Sequence, residues 1–271
     1  MTFMIVASFK ILSLLFICFL FSRTAEAQLH VYLSYRCNTN KTFATNSAFQ
    51  SDLTTLLYSL ASANTKFYNA TIVGGGDIVY GLFMCRGDLN ISMCHQCVVY
   101  ATQQLASKCR FSKEAIVWYE ECIVRYSDRY FFSTVDTMPS FIMYNIQNAS
   151  RPSFLQLLLD TLNFTAEEAA NDAKKYATRE SSISGFGTMY SLLQCTPDLS
   201  SRDCRKCLSG VIEDLPWCCV GKQGAGVLTP SCTVRYELYP FYYSDDQPAA
   251  ISPPTNSSVP QGKAILLRHL L

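Results

Sequence analysis

Apolar positions along the chain change period in a fixed order. Residues 29–36 are β-branched and aromatic enough for a strand, and Phe49, Leu53, Leu56, Leu57 and Leu60 then share one helical face, which predicts a helix over 46–63. Two runs, 66–73 and 77–84, flank Gly74-Gly75-Gly76; glycine tolerates positive φ, so the trio reads as a hairpin turn. A phosphate-binding loop is the sharper reading of three glycines, but no Gly-Lys-Ser/Thr follows and no helix opens there. A second helix is predicted over 91–106, then strands over 115–119 and 122–132. Strands adjacent in sequence usually pair, so this β-α-β-β-α-β-β order folds most economically as a five-stranded antiparallel sheet with both helices packed on one face.

The same order returns. Tyr80, Leu82, Asp88 and Leu89 recur 110 residues later as Tyr190, Leu192, Asp198 and Leu199, and Val124-Arg125-Tyr126 recurs as Val234-Arg235-Tyr236. A constant offset through so many residue types marks a duplicated unit. In the second copy Pro152 and Ser153 open a helix with Leu155, Leu158 and Leu162 on one face, and Thr165 with Glu168 offers a capping box for its continuation. The hairpin is predicted at 176–182 with 188–194 and the last strand at 233–243. The fold class is therefore α+β, a tandem of two such domains at 28–135 and 136–246. The aromatic runs Tyr130-Phe131-Phe132 and Tyr239-Pro240-Phe241-Tyr242-Tyr243 read either as a sugar-stacking platform or, more simply, as half core and half interdomain contact.

Lys10 followed by an apolar run over 11–21 and Ala25-Glu26-Ala27 reads as a signal peptide, 1–27, cleaved before Gln28. The run is about half of the roughly 20 residues a membrane span needs, so the chain is expected to be secreted into the extracellular space. From 247 to 271 the chain reads as a Pro/Ser-rich tail, and Ala264-Ile265-Leu266-Leu267 is cut off by Arg268 and His269, far short of a span.

Thirteen cysteines include Cys18 in the leader and twelve beyond it, an even number that suits disulfides on an oxidising route. Three of them stand at C-x8-C-x2-C twice, as Cys85, Cys94, Cys97 and as Cys195, Cys204, Cys207. Cys94, Cys97, Cys109 and Cys122 superficially suit a four-thiolate zinc site, but the compartment and the coupled Cys85 favour bridges, and neither metal nor other cofactor is expected. His30, His95 and His269 form no ligand pattern. A formal charge of +1 without basic runs gives no electrostatic case for nucleic acid. Sequons stand at Asn40, Asn69, Asn90, Asn148, Asn163 and Asn256. No Ser-His-Asp or Cys-His constellation is arranged around a recognisable elbow, Glu120 and Glu121 are merely adjacent, and no H-R-D, D-F-G or glycine-rich phosphate loop occurs, so no enzyme is expected.

These residues resemble the plant stress-antifungal family of cysteine-rich repeat proteins typified by ginkbilobin, in the C-x8-C-x2-C motif and in the onward spacing to Cys109 and Cys122. The family includes single-domain antifungal proteins, tandem secreted proteins, plasmodesmata-located membrane proteins and receptor-like kinase ectodomains. The resemblance implies bridges Cys37–Cys109, Cys85–Cys94 and Cys97–Cys122, with Cys195–Cys204 and Cys207–Cys232 in the second copy. Offset by 110, the mate of Cys219 would be Gln147, so Cys218 and Cys219 are uncertain thiols: a strained vicinal bridge or two free groups. Single-domain relatives bind mannose through an asparagine after the first cysteine, an arginine seven after the fifth and a glutamate five after the sixth. Asn38 fits the first, but Ile116 and Ser127 replace the others; the second copy keeps Glu237, with Gly226 at the arginine position. Asn38 also reads as a turn residue. The resulting expectation is a secreted, non-enzymatic binding protein of the apoplast in stress or defence signalling. Its partner would be an extracellular ligand, a receptor ectodomain or a cell-wall glycan. The alternatives are an antifungal mannose-type lectin using Asn38 or Glu237 and a thiol-based redox sensor using Cys218 and Cys219.

Overall fold

The computed structural model describes residues 30–75, 77–149, 152–183, 187–219, 221–243 and 263–268. The expected leader 1–27, most of the tail and Asn256 lie outside them. The first domain runs β1 (Tyr32–Cys37), α1 (Ala48–Ser62), β2 (Phe67–Val73), β3 (Ile78–Cys85), α2 (Ile91–Lys108), β4 (Ala115–Tyr119) and β5 (Cys122–Ser127). The second runs β6 (Ser140–Asn145), α3 (Pro152–Asn171), β7 (Tyr176–Ile183), β8 (Gly187–Cys195), α4 (Ser201–Cys219), β9 (Ala225–Leu228) and β10 (Cys232–Glu237). The first sheet has the order β1-β4-β5-β3-β2; the second repeats it as β6-β9-β10-β8-β7. All neighbouring strands are antiparallel.

Local chemistry sets the helix starts. Ser47 caps α1 by accepting from the Gln50 amide at 3.3 Å, and Asn90 caps α2 by accepting from the Met93 amide at 2.9 Å. Each helix pair lays its apolar stripe on one sheet face: Leu56 and Leu60 of α1 pack with Phe83 and Val124, and Leu162 of α3 with Leu193 and Val234.

A half-solvated strand would alternate buried and exposed positions, yet β5 is buried at every residue. The reason is that each sheet's other face meets its counterpart. Met84, Ile116, Trp118 and Ile123 of the first domain form one apolar cluster with Phe141, Met143 and Leu228 of the second. Inside it the Trp118 indole N–H donates to the Thr229 carbonyl at 3.3 Å. Around it the contacts are reciprocal. The Tyr243 amide donates to Asp88 at 2.9 Å and the Ser133 amide donates to Asp198 at 2.6 Å, the same pair of positions with the domains exchanged. Such exchange is the mark of an isologous, pseudo-twofold contact. At Gly87 a Cβ would run into the Tyr176 ring, so only glycine lets the second domain's hairpin approach this closely.

The structure corrects four expectations in detail. The last strands end at Ser127 and Glu237, short of 132 and 243, because Phe131 and Phe241 fold back under the Arg125 and Arg235 guanidinium groups, each 4.2 Å from the ring centroid. Thr165 caps nothing: α3 is continuous, and the Thr165 hydroxyl donates to the Thr161 carbonyl at 2.7 Å, the back-bond of a mid-helix threonine. The counterpart of Cys37 is Tyr144, not Gln147. Cys37 pairs with Ala115 and Tyr144 with Ala225, so the copies are offset by 107 in their first strands and by 110 later. Finally, the tail contributes β11 (Lys263–Arg268), which pairs antiparallel with β6 and adds a sixth strand to the second sheet at an edge that would otherwise stay open.

Loop length ranks the bridges. With its cysteines 72 positions apart, Cys37–Cys109 restricts the unfolded chain far more than a neighbouring pair such as Cys218–Cys219. By chain entropy the first is worth about 4 kcal/mol and the second about 1 kcal/mol. The double variant Cys37→Ser/Cys109→Ser should therefore lose several times more stability in urea unfolding than Cys218→Ser/Cys219→Ser; equal losses would contradict the ranking.

Candidate functional site

Six bridges occur among the described residues: Cys37–Cys109, Cys85–Cys94, Cys97–Cys122, Cys195–Cys204, Cys207–Cys232 and Cys218–Cys219. The vicinal pair closes the end of α4, with Cys219 buried and Trp217 beside it 82% exposed. Repeat-related hydrogen bonds persist on the turn after the second helix of each domain. The Tyr126 hydroxyl donates to the Ser112 carbonyl at 3.0 Å, and the Tyr236 hydroxyl donates to the Lys222 carbonyl at 3.1 Å.

The two carbohydrate candidates stand in different domains, each engaged internally. Asn38 accepts from the Asn40 amide at 3.1 Å and donates to Glu114 at 3.2 Å, the arrangement of a turn. Glu237 is buried and accepts from the Arg235 guanidinium at 3.0 Å. They do not converge on a shared cleft. Of the sequons, Asn40, Asn90, Asn148 and Asn163 are exposed and Asn69 is half-buried on β2. Asn90 caps α2 through its oxygen, which leaves the amide nitrogen for a sugar.

Charged groups gather where the domains meet. Arg235 is buried, pairs with Glu120 across the seam and with Glu237 in its own strand, and lies over Phe241. Arg86 pairs with Asp88 at 2.7 Å, and Arg125 with Asp136 at 2.5 Å. The cavity beside these groups holds about 50 Å³, room for one or two waters but for no organic ligand. The seam is structural.

A larger cleft lies on the first domain, away from the second. Its volume is about 220 Å³, and its walls are β1, β4 and α2. From α2 come Tyr100, Gln104 and Lys108, spaced by four so that they stand on one helical stripe, with Leu105 beneath. From β4 come Val117 and Tyr119, which share a face. On β1 the contributors are Tyr32 and Tyr35, which regular alternation would send to opposite faces. A register shift between Tyr32 and Ser34 places Tyr32 opposite Tyr119 and Tyr35 opposite Val117, so both rings enter the cleft. The ring centroids of Tyr32 and Tyr100 lie 5.8 and 5.6 Å from that of Tyr119, both edge-on. Burial, with the neighbouring Tyr100, Tyr32 and Glu121, pushes the Tyr119 phenol up to about 12, and burial raises that of Tyr32. Sequence reasoning passed over this cleft. The bulge that turns Tyr32 inward has no signal in the residue pattern, although the Tyr100-x3-Gln104-x3-Lys108 stripe could have been read.

The family model for salt stress response/antifungal proteins matches twice, at 36–129 and 144–239. The chain belongs to that family. Among solved structures, this family member is similar to the tandem DUF26 ectodomains of two cysteine-rich receptor-like proteins of Arabidopsis thaliana. For PDLP8 the TM-score is 0.68 at 24% identity, covering 77% of this chain and 97% of that one. For PDLP5 it is 0.63 at 26% identity, covering 76% and 99%. Cysteine-rich receptor-like protein kinase 25 of the same plant is 39% identical over 237 residues, which are 84% of this chain and 35% of that protein. The salt stress response/antifungal tandem thus spans about a third of that relative's length, and its likeness is to the extracellular parts of receptor-like proteins. Among its described residues, no helix is long and apolar enough to cross a membrane.

Two outcomes follow for this tandem. Replacing Arg235 by Met leaves Glu237 buried without its cation and should cost about 3–5 kcal/mol in urea unfolding, whereas Arg235→Lys should cost less. The buried phenols stay neutral in the fold beyond their ordinary 10.0, since Tyr119, Tyr126, Tyr176 and Tyr236 are all raised. Their folded values exceed the unfolded one, so their stabilisation is complete below pH 10 and is lost as pH rises toward about 12. Phenolate absorbance of the folded chain should accordingly lag that of the unfolded chain above pH 10, and a coincident titration would contradict the burial of these rings.

Proposed function

We propose that the chain is a secreted, non-enzymatic binding protein of the plant apoplast that acts in stress or defence signalling. One observation carries the reading: the buried charged groups Arg86, Arg125 and Arg235 are engaged in ion pairs with Asp88, Asp136 and Glu237, while the open cleft of the first domain is lined by tyrosines rather than by an acid–base constellation. The family's likeness to receptor-like ectodomains supports an extracellular setting, as do twelve cysteines beyond the expected leader and six sequons. A module of this kind works by presenting surface to a ligand or to another ectodomain. The disulfides make that surface rigid, so little ordering has to be offset on binding.

The test is expression of the full chain in leaf cells with its own leader, followed by recovery from the wall fluid. The mature protein should begin at Gln28, carry sugar on some sequons, and be crosslinked at the cell surface to a membrane-anchored partner. A chain retained in the cytosol with its leader intact, or a purified chain that turns over a substrate, would refute the reading.

A further inference from the structure

The tyrosine cleft differs from its counterpart in the second copy in a way the fold does not require. Where the first domain has Tyr100, Tyr119 and Tyr35, the second has Gly210, Thr229 and Ile142, by the offsets that the strand registers set. The core positions of the same walls are kept, as Leu105 with Leu215 and Val117 with Val227. The second domain builds the same strands and helices without any of the three rings, so this fold does not require them, although in the first domain Tyr119 belongs to the buried core and Tyr35 packs against it. The bridge Cys37–Cys109 ties the end of β1 to the end of α2, the two outer walls of this cleft. It too is missing from the second copy, where Tyr144 stands in the place of Cys37. An aromatic lining and a covalent clamp on its walls are thus confined to one location in one domain.

The lining specifies the ligand. A cavity of about 150 Å³ accepts benzene, so 220 Å³ holds a single six-membered ring with a short substituent. Rings that meet edge-on at 5.6 and 5.8 Å are in mutual contact, so a bound ring would stack on them rather than insert between them. The polar groups of the lining are the Gln104 amide, the four phenolic hydroxyls, and one formal charge, the Lys108 ammonium. A planar ring with one acidic group asks for one cation and one or two neutral donors. The Tyr119 phenol, pushed up to about 12, remains such a donor at any physiological pH.

We propose that the cleft between β1, β4 and α2 binds a small monocyclic aromatic carboxylate, its ring among Tyr32, Tyr100 and Tyr119 and its carboxylate on Lys108. The assignment rests on the reading of the chain as a binding protein and names the ligand class of one of its surfaces. The first probe is benzoate, titrated into the purified full chain and followed by ligand-observed NMR. Benzyl alcohol, cyclohexanecarboxylate and methyl α-mannoside serve as comparisons lacking the charge, the aromatic ring and both. Benzoate should bind most tightly. Lys108→Met should weaken it about tenfold, the scale of one charge-assisted contact, and Tyr100→Ala by a similar factor. Both side chains are exposed on α2, so the variants should keep the wild-type circular dichroism and melting temperature. The site is refuted if the folded chain binds no benzoate, or if both variants bind it unchanged. The class is refuted if benzyl alcohol or cyclohexanecarboxylate binds as well as benzoate, or if methyl α-mannoside alone binds. A chain that fails here but still crosslinks to a surface partner sinks this assignment alone, whereas loss of both sinks the binding reading itself.

Discussion

Two helices can cover one face of a five-stranded sheet and no more. Each domain therefore folds with a second apolar face still open, and the rest of the molecule follows from how that face is covered. Facing the sheets across Trp118, Ile123, Phe141 and Met143 removes both open faces from water at once. A buried tryptophan of roughly 200 Å² is worth up to about 5 kcal/mol, whereas a buried ion pair roughly breaks even against an apolar replacement. The apolar seam therefore supplies the attraction. The polar contacts at its rim set the alignment, because Asp88 with Tyr243 and Asp198 with Ser133 can be made together in only one relative placement of the domains.

A duplicated chain separates what the fold needs from what it tolerates. Positions kept in both copies, such as Tyr126 with Tyr236 and Arg125 with Arg235, repeat not only their identity but their contacts: a tyrosine hydroxyl on the turn after the second helix, and a guanidinium over a phenylalanine ring. Positions that diverge have lost no element of secondary structure. The third bridge of the first domain is such a case. Its counterpart cysteine, Cys219, turns to its own neighbour Cys218, while the half-buried Tyr144 packs beside the second core.

Much of the architecture was legible in the sequence because it rests on period and spacing. The helical stripe of Leu53, Leu56, Leu57 and Leu60 and the glycine hairpin are local signals, and the constant 110-residue offset reveals the duplication without any structural knowledge. What stayed hidden depends on contacts between distant segments. The offset carried Cys37 onto Gln147 because counting cannot register a change of three residues upstream of α3; only strand pairing shows Tyr144 in that place. The tail read as a linker because pairing with β6 is a tertiary event that four apolar residues do not announce. Of the candidate sites, Asn38 and Glu237 were visible from their spacing to cysteines. The contact of Asn38 with Glu114 was not, since that partner is remote in sequence, whereas the pairing of Glu237 with Arg235, two residues away on one strand, follows the strand's alternation.

The tyrosine cleft shows how a surface becomes specific on a frame of this kind. The seam occupies the inner faces of both sheets, and the helices occupy the outer ones, so a recognition surface is left to edges, loops and helix flanks. Edges are ordinarily the most pliable part of a sheet. In the first domain the edge strand β1 is held at one end by Cys37–Cys109 and is bulged near the other, which fixes Tyr32 and Tyr35 against α2. The corresponding edge of the second sheet is paired with β11 instead. One edge is thus clamped open over a lined cleft and the other is closed by an added strand. The two copies, equal in framework, have in this way become unequal in what they can present to a partner.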